Sequence, residues 1–227
     1  MKKETPETVR DTQSLVESEI SSLIPSTVVS QSGANIVIVH RLQLTMIDGK
    51  TRAILTDTAA CNCCVCGAKP SQMTQNIAPS NLDAYKFGLS VLHTRIRLLE
   101  CVLHIAYRIE IKQWRANANL YKERKKVIQD SLRSELGILV DAVKPGHGST
   151  NDGNTARKFF KNPERVAAIT GVDRELLERF ATIQNVLASG FDMHTAKFRE
   201  YCRSTSELYC KLYPWFYMPA SVHIIFG

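Results

Sequence analysis

The stretch LHTRIRLLECVLHIAYRI, residues 92–109, decides the fold class. Leu92, Ile96, Leu99, Val102, Ala106 and Ile109 advance in steps of three and four. That spacing builds one apolar face on an α-helix and none on a strand. The pattern reaches beyond both ends, so residues 82–114 read as one long helix or a broken pair. Cys101 lies within it and reads as a core residue, as do Cys202 and Cys210 in later helical patterns.

Working toward the C-terminus, a second helix is expected at about 118–140, basic outside, with Val127, Ile128, Leu132, Leu136 and Leu139 inside. VKPGHGSTNDGNT, 143–155, is a glycine-rich connector of the length that often carries function. Further helices are expected near 155–161, 163–169, 173–189 and 194–212, with Gly171 and Gly190 as terminators. The tail YPWFYMPASVHIIFG is aromatic and is interrupted by Pro214 and Pro219.

Toward the N-terminus, Thr5-Pro6-Glu7 is a helix start: a hydroxyl cap, a proline at the first helical position and an acid in the first turn. Val9, Val16, Ile20 and Leu23 follow at helical spacing, and Pro25 ends the run. In NIVIVHRLQLTMIDGKTRAILT, residues 35–56, Ile36, Ile38, Leu42, Leu44 and Met46 share one parity and Arg41, Gln43 and Thr45 the other. The alternation predicts a half-buried strand ending at Asp48 and paired with TRAILT. The fold class expected is α+β and predominantly helical, a few-stranded N-terminal piece joined to a helical body. Two strands make a poor sheet alone, so that piece reads as part of something larger.

Composition bounds the function. The chain has 227 residues, 44% hydrophobic and 22% charged, within the ordinary globular range. No apolar run approaches the ~18 residues of a membrane span, and MKKETPETVRD lacks the apolar core of a signal peptide. An intracellular, soluble protein with no membrane partner is expected. Seven cysteines in such a chain point to thiols or thiolate–metal bonds rather than disulfides. The net charge is +7, and residues 95–165 hold fifteen Lys/Arg against eight Asp/Glu, the whole excess. A polyanion such as nucleic acid suits that concentration, and so does a solvated helical face.

Three stretches could carry chemistry. In CNCCVCGA, 61–68, Cys63 and Cys66 have the spacing at which one knuckle offers two sulfurs to a tetrahedral zinc. Cys61 and Cys64 crowd the motif and leave the choice of pair open, and buried thiols are the plain reading. Among the histidines, His93 and His104 fall on the long helix, His40 has strand neighbours, and His147 and His194 sit in loop or cap contexts. His223 has no evident packing reason for its place. Asp48-Gly49 is either a tight turn or a carboxylate on a strand end, held for a magnesium ion. In GHGSTNDGNTARKFF, 146–160, glycines, small polar residues and then Arg157 and Lys158 at a helix start suit a phosphate, or simply a capped turn.

Together these stretches resemble the Transib family of DDE transposases and, more distantly, the catalytic subunit of the V(D)J recombinase. The matching segments are LTMIDGK, CCVCGA, LHTRIRLLECVLH, GSTNDGNTARKFFKNPE, ITGVD, LASGF and LYPWFYMPASVH, in family order and spread over nearly the whole chain. The resemblance implies a partial ribonuclease-H-like catalytic domain at 1–58, a CxxC zinc-knuckle region at 59–88, and a helical zinc- and DNA-binding region at 89–227. It implies that Asp48 is the second magnesium-binding aspartate, and that Cys63, Cys66 and His223 are zinc ligands. Asp152, Asn154, Arg157 and Lys158 would contact DNA beside the cleavage point. Implied too are transposon-end DNA as partner, a homodimer, a nuclear location, and magnesium-dependent strand cleavage and transfer.

The sequence also departs from the family. Its first catalytic aspartate would lie upstream of these residues and its glutamate downstream. The second zinc histidine would stand at position 228, one past Gly227. The expectation is therefore an internal fragment with an incomplete zinc site and no complete magnesium site. The alternative is a non-catalytic DNA-binding or interaction protein derived from the transposase.

Overall fold

A computed structural model describes residues 5–41, 46–75, 77–112, 118–146 and 148–226. Helix α3, Val91–Ala106, is its centre: Leu98, Leu99, Val102, Leu103, Ile105 and Ala106 are fully buried. Ser90 caps its N-terminus, its side chain accepting from the N–H of His93. The long helical pattern is thus interrupted ahead of the cap, and residues 82–86 form a separate 3-10 turn.

Helices α5 (Gly153–Phe160), α7 (Arg174–Ala188) and α9 (Ala220–Phe226) pack directly on α3. Around them run α4 (Ala118–Leu136), α6 (Pro163–Thr170) and α8 (Thr195–Leu212), with α4 against α6 and α8 between α7 and α9. Thr5 and Pro6 start α1 (Pro6–Ser21) as expected, and Gly171 ends α6 in the left-handed conformation, φ +73°. Helix α4 ends at Leu136, short of the expected 140, because Gly137 takes the left-handed conformation, φ +63°. Within it Ile128 and Leu132 are buried, Leu136 partly so and Val127 exposed, and Leu139, beyond its end, is exposed. The tail, broken by two prolines, still forms α9, its first turn closed by the Val222 and His223 N–H groups on the Pro219 carbonyl.

The strand expectation is corrected. Residues 51–56 do not pair with 35–46: Gly49–Leu55 is helix α2. Asp48 makes the difference, because its carboxylate accepts from the Thr51 N–H at 2.8 Å and so caps a helix rather than ending a strand or a tight turn. The run Ala53-Ile54-Leu55 is too short for its period to choose between helix and strand. Strand β2 (Asn35–Ile38) pairs instead with β1 (Ser26–Val29), antiparallel, with Ser26 opposite Ile38 and Val29 opposite Asn35. Gly33, φ +81°, supplies the left-handed turn residue between them. All eight strand residues are exposed, not half-buried, and α1 likewise carries no buried residue. The remaining sheet is a minimal hairpin, β3 (Val143–Lys144) with β4 (Gly148–Ser149), inside the glycine-rich connector. His147 and Leu42 to Thr45, all used in the sequence reading, lie outside the described residues. Among the described residues no helix is long and apolar enough to cross a membrane.

Candidate metal centre and basic surface

The knuckle is built by backbone. The Cys63 N–H donates to the Ala68 carbonyl at 2.9 Å and the Gly67 N–H to the Cys63 carbonyl at 2.8 Å, folding 63–68 into a tight loop. Gly67 sits at φ +72°, the left-handed turn that lets Cys63 and Cys66 point the same way. The Ser80 and Asn81 N–H groups both bond to the Val65 carbonyl, at 2.9 and 2.8 Å, and fasten the loop from behind. Cys63 is buried and Cys66 partly so, while Cys61 is exposed and bonds only to Asn62.

Helix α9 brings the third donor. Val222 is fully buried and Phe226 stacks on Phe180 of α7, ring centres 6.0 Å apart, which fixes the rotation of α9 and turns His223 toward the knuckle. His223 Nδ1 lies 2.9 Å from the Met73 carbonyl. A carbonyl only accepts, so Nδ1 carries the proton and Nε2 presents its lone pair. That Nε2 is 3.3 Å from Cys66 Sγ, across 157 positions of chain. The two sulfurs and Nε2 all lie within 4.8 Å of one another, close to the ~3.5–3.8 Å between donors on a tetrahedral zinc.

Electrostatics agree with that use. Burial pushes the Cys63 thiol up to about 11, with Cys66 adding to the rise, and burial lowers the His223 imidazole below its usual range. A cation among them reverses the cost, because a coordinated thiol gives up its proton. Ile77, Pro79, Tyr85 and Ile224 wall a cavity of about 20 Å³ in front of the donors, room for one ion or water. The group Cys63, Cys66 and His223 could hold a metal ion such as zinc, and its residues fit one. Of the four crowded cysteines, the geometry selects the pair 63 and 66.

Asp48 is the N-cap of α2. Burial raises its carboxyl, but the Thr51 and Lys50 N–H groups outweigh this and hold it below the usual carboxylate range. One oxygen of the anion, Oδ1, accepts the cap bond of α2. Two-metal chemistry needs several carboxylates, and among the described residues Asp48 stands in no convergent group of three Asp, Glu, His or Cys.

The connector residues gather at the start of α5. Asp152 caps the helix, accepting from the Thr155 N–H at 2.9 Å, and pairs with Lys144 at 3.1 Å. Asn154 accepts from Arg157 Nη1 at 3.2 Å. Helix α5 is sharply two-faced: Ala156, Phe159 and Phe160 are buried, and Asn154, Arg157 and Lys158 are exposed. Below it, Asp141 (φ +52°) is held by Asn151, Tyr107 and Lys125 at 2.6, 2.9 and 3.0 Å, so the connector is anchored to α3 and α4. Much of the basic excess of α4 is not internally paired. Arg124 and Lys125 meet Glu110 and Asp141, but Lys122, Lys126 and Arg133 share one exposed helix face without a carboxylate partner among the described residues.

Sequence reasoning missed two basic residues near this surface. Lys144 was hidden in a turn-like Lys-Pro-Gly. Arg95 is only 8% exposed, and its signal was a charge placed one position off the apolar face of the 92–109 pattern. No protein-family model matches the chain, and no curated protein matches it.

Proposed function

We propose that the chain is a Transib-like transposase polypeptide that binds DNA through its basic helical body, fastened by zinc, and that by itself it cleaves none. One observation carries the reading. Cys63 and Cys66, paired by their spacing, and His223, joined to them by the resemblance, have their donor atoms within 4.8 Å of one another. The exposed cations of α4 and α5 support the DNA part, since among the described residues Lys122, Lys126 and Arg133 have no carboxylate partner and phosphates would supply one. That Asp48 stands in no convergent donor group among the described residues supports the absence of cleavage, and equally favours the second reading, a transposase-derived protein kept for DNA binding only. Transposon-end DNA, dimerisation and a nuclear location belong to the same proposal.

The test is an end-labelled terminal-repeat duplex with the zinc-loaded protein and magnesium. Retarded complexes whose affinity falls steeply with salt are expected, with no nicked product. Nicking that disappears in Asp48→Asn, which keeps the helix cap and removes the charge, overturns the cleavage-free reading. Failure to retard any duplex at low salt overturns the DNA reading.

A further inference from the structure

A cleft of about 420 Å³ opens between α2, the knuckle and the tail residues 216–221, with α3 behind it. That volume lies within the ~300–1,000 Å³ of small-molecule sites. Its cationic side chains are Lys50 and Arg52 of α2 and Arg97 of α3, and among the described residues no aspartate or glutamate lines it. Arg97 is answered by Glu100 at 2.7 Å. Arg52 has no such answer: it is only 7% exposed, and no carboxylate meets it among the described residues. Its Nη2 donates to the Gly88 carbonyl, and its Nε is buried without a partner. A guanidinium drawn out of water onto one carbonyl is a charge without its counterion.

The rest of the lining is of two kinds. The side-chain nitrogen of Asn62 and the hydroxyl of Ser221, both residues half-buried, donate to nothing among the described residues. Tyr217, also half-buried, gives the cleft an aromatic wall. An inorganic anion would use only the arginine, and an apolar molecule only the ring. A nucleotide uses every part: phosphate oxygens for the guanidinium fork, sugar and base edges for the neutral donors, and a base face for the tyrosine.

We propose that this cleft binds one nucleotide unit, its phosphate at Arg52 and its base against Tyr217. The cleft rests on the DNA reading above only for the source of that unit, an unpaired nucleotide at a strand end rather than a free mononucleotide.

The test is calorimetric titration of the zinc-loaded full chain with thymidine 5′-monophosphate, thymidine and inorganic phosphate. The monophosphate is expected to bind about tenfold or more tightly than either of its parts, since the charged hydrogen bonds and the stacking act together. Arg52→Gln should weaken the monophosphate about tenfold and thymidine far less. Asn62→Asp puts a carboxylate into the lining without touching the bond of Arg52 to Gly88. It should weaken the monophosphate to the same degree with the melting temperature unchanged, so the test stands even if Arg52→Gln does not fold. In gel shifts, a duplex with a short single-stranded tail should bind about tenfold more tightly than the blunt duplex, and Asn62→Asp should remove that gain.

No binding of the monophosphate, inorganic phosphate bound as tightly, or monophosphate affinity untouched by Asn62→Asp overturns the cleft. A lower melting temperature for Arg52→Gln with nucleotide affinity unchanged makes Arg52 only a tie between α2 and residue 88, and overturns it too. Monophosphate binding that falls in both variants of a protein that retards no duplex upholds the cleft and defeats the DNA reading instead. A tail that adds nothing while the monophosphate still binds overturns the strand-end source and leaves a free mononucleotide as the ligand.

Discussion

Removing the metal from the Cys63/Cys66/His223 group should loosen the join between the knuckle and α9. The size of the effect follows from the chain distance. Cys66 and His223 are 157 positions apart. A cross-link closing a loop of about that length takes about 5 kcal/mol from the unfolded chain in the loop-entropy view. The binding equilibrium gives a similar figure: free zinc at about a thousand times its dissociation constant contributes about 4 kcal/mol. These are two routes to one quantity and do not add. At about 2–4 °C per kcal/mol for a chain of this size, chelation should lower the melting temperature by about 8–20 °C. His223→Ala should melt near the chelated wild type, lower by the ~1 kcal/mol of its bond to the Met73 carbonyl. Cys61→Ser, outside the group, should behave as wild type. The assay is calorimetry with and without chelator, beside metal content and the tetrahedral absorption of cobalt put in place of zinc. Stoichiometric zinc retained by His223→Ala, or a chelated wild type melting within about 1 °C of the untreated protein, refutes the reasoning.

Three further outcomes are expected. Arg157→Ala/Lys158→Ala should weaken duplex binding and reduce the salt slope by about 1.8, or two phosphates, in a gel-shift series; an unchanged slope removes α5 from the interface. Gly171→Ala should cost about 1–2 kcal/mol in urea unfolding, because its left-handed backbone (φ +73°) resists a Cβ. Asp141→Asn should cost about 2 kcal/mol at pH 7, since asparagine tolerates the positive φ and only the charged hydrogen bonds are lost. Burial raises the Asp141 carboxyl, but Asn151, Lys125 and Tyr107 together hold it below its ordinary value. Its stabilisation is therefore full above the unfolded carboxyl range and lost as pH falls through the depressed folded value. The gap between wild type and variant should close in melts taken at progressively lower pH, and a gap constant down to the acid transition would contradict this assignment.

The helical body was legible because its signals are local. The helix starts expected near 155, 163 and 173 carry side-chain caps in the structure, Asp152, Asn162 and Asp173, whereas the Ser90 cap that breaks the 82–114 pattern was not read. The N-terminal third was misread where two local signals competed. The alternation read through 36–46 gives a strand only at 35–38, exposed on both faces, STVV at 26–29 is its partner, and Asp48 serves a helix. Of the metal group, the spacing of Cys63 and Cys66 was visible. His223 was singled out only by having no packing reason to be there, since nothing local ties it to a loop 157 positions earlier. The Met73 carbonyl that sets its tautomer has no sequence signature at all. Arg95 stayed hidden for the opposite reason, because a lone charge beside an apolar face usually turns toward water.

The wide separation of the knuckle from His223 also sets an order of events during synthesis. At about 5–20 residues per second, the ribosome needs about 8–30 s to make the 157 residues between Cys66 and its imidazole partner. For that interval Cys63, Cys64 and Cys66 are bare neighbouring thiols on a nascent chain, without their third donor. Where an oxidant such as dissolved oxygen is present, oxidation within the triplet then competes with completion of the site, and a disulfide made early leaves His223 of α9 without its sulfur partners. Yield should therefore respond to reductant and zinc supplied while the protein is being made, and much less to either one added after purification.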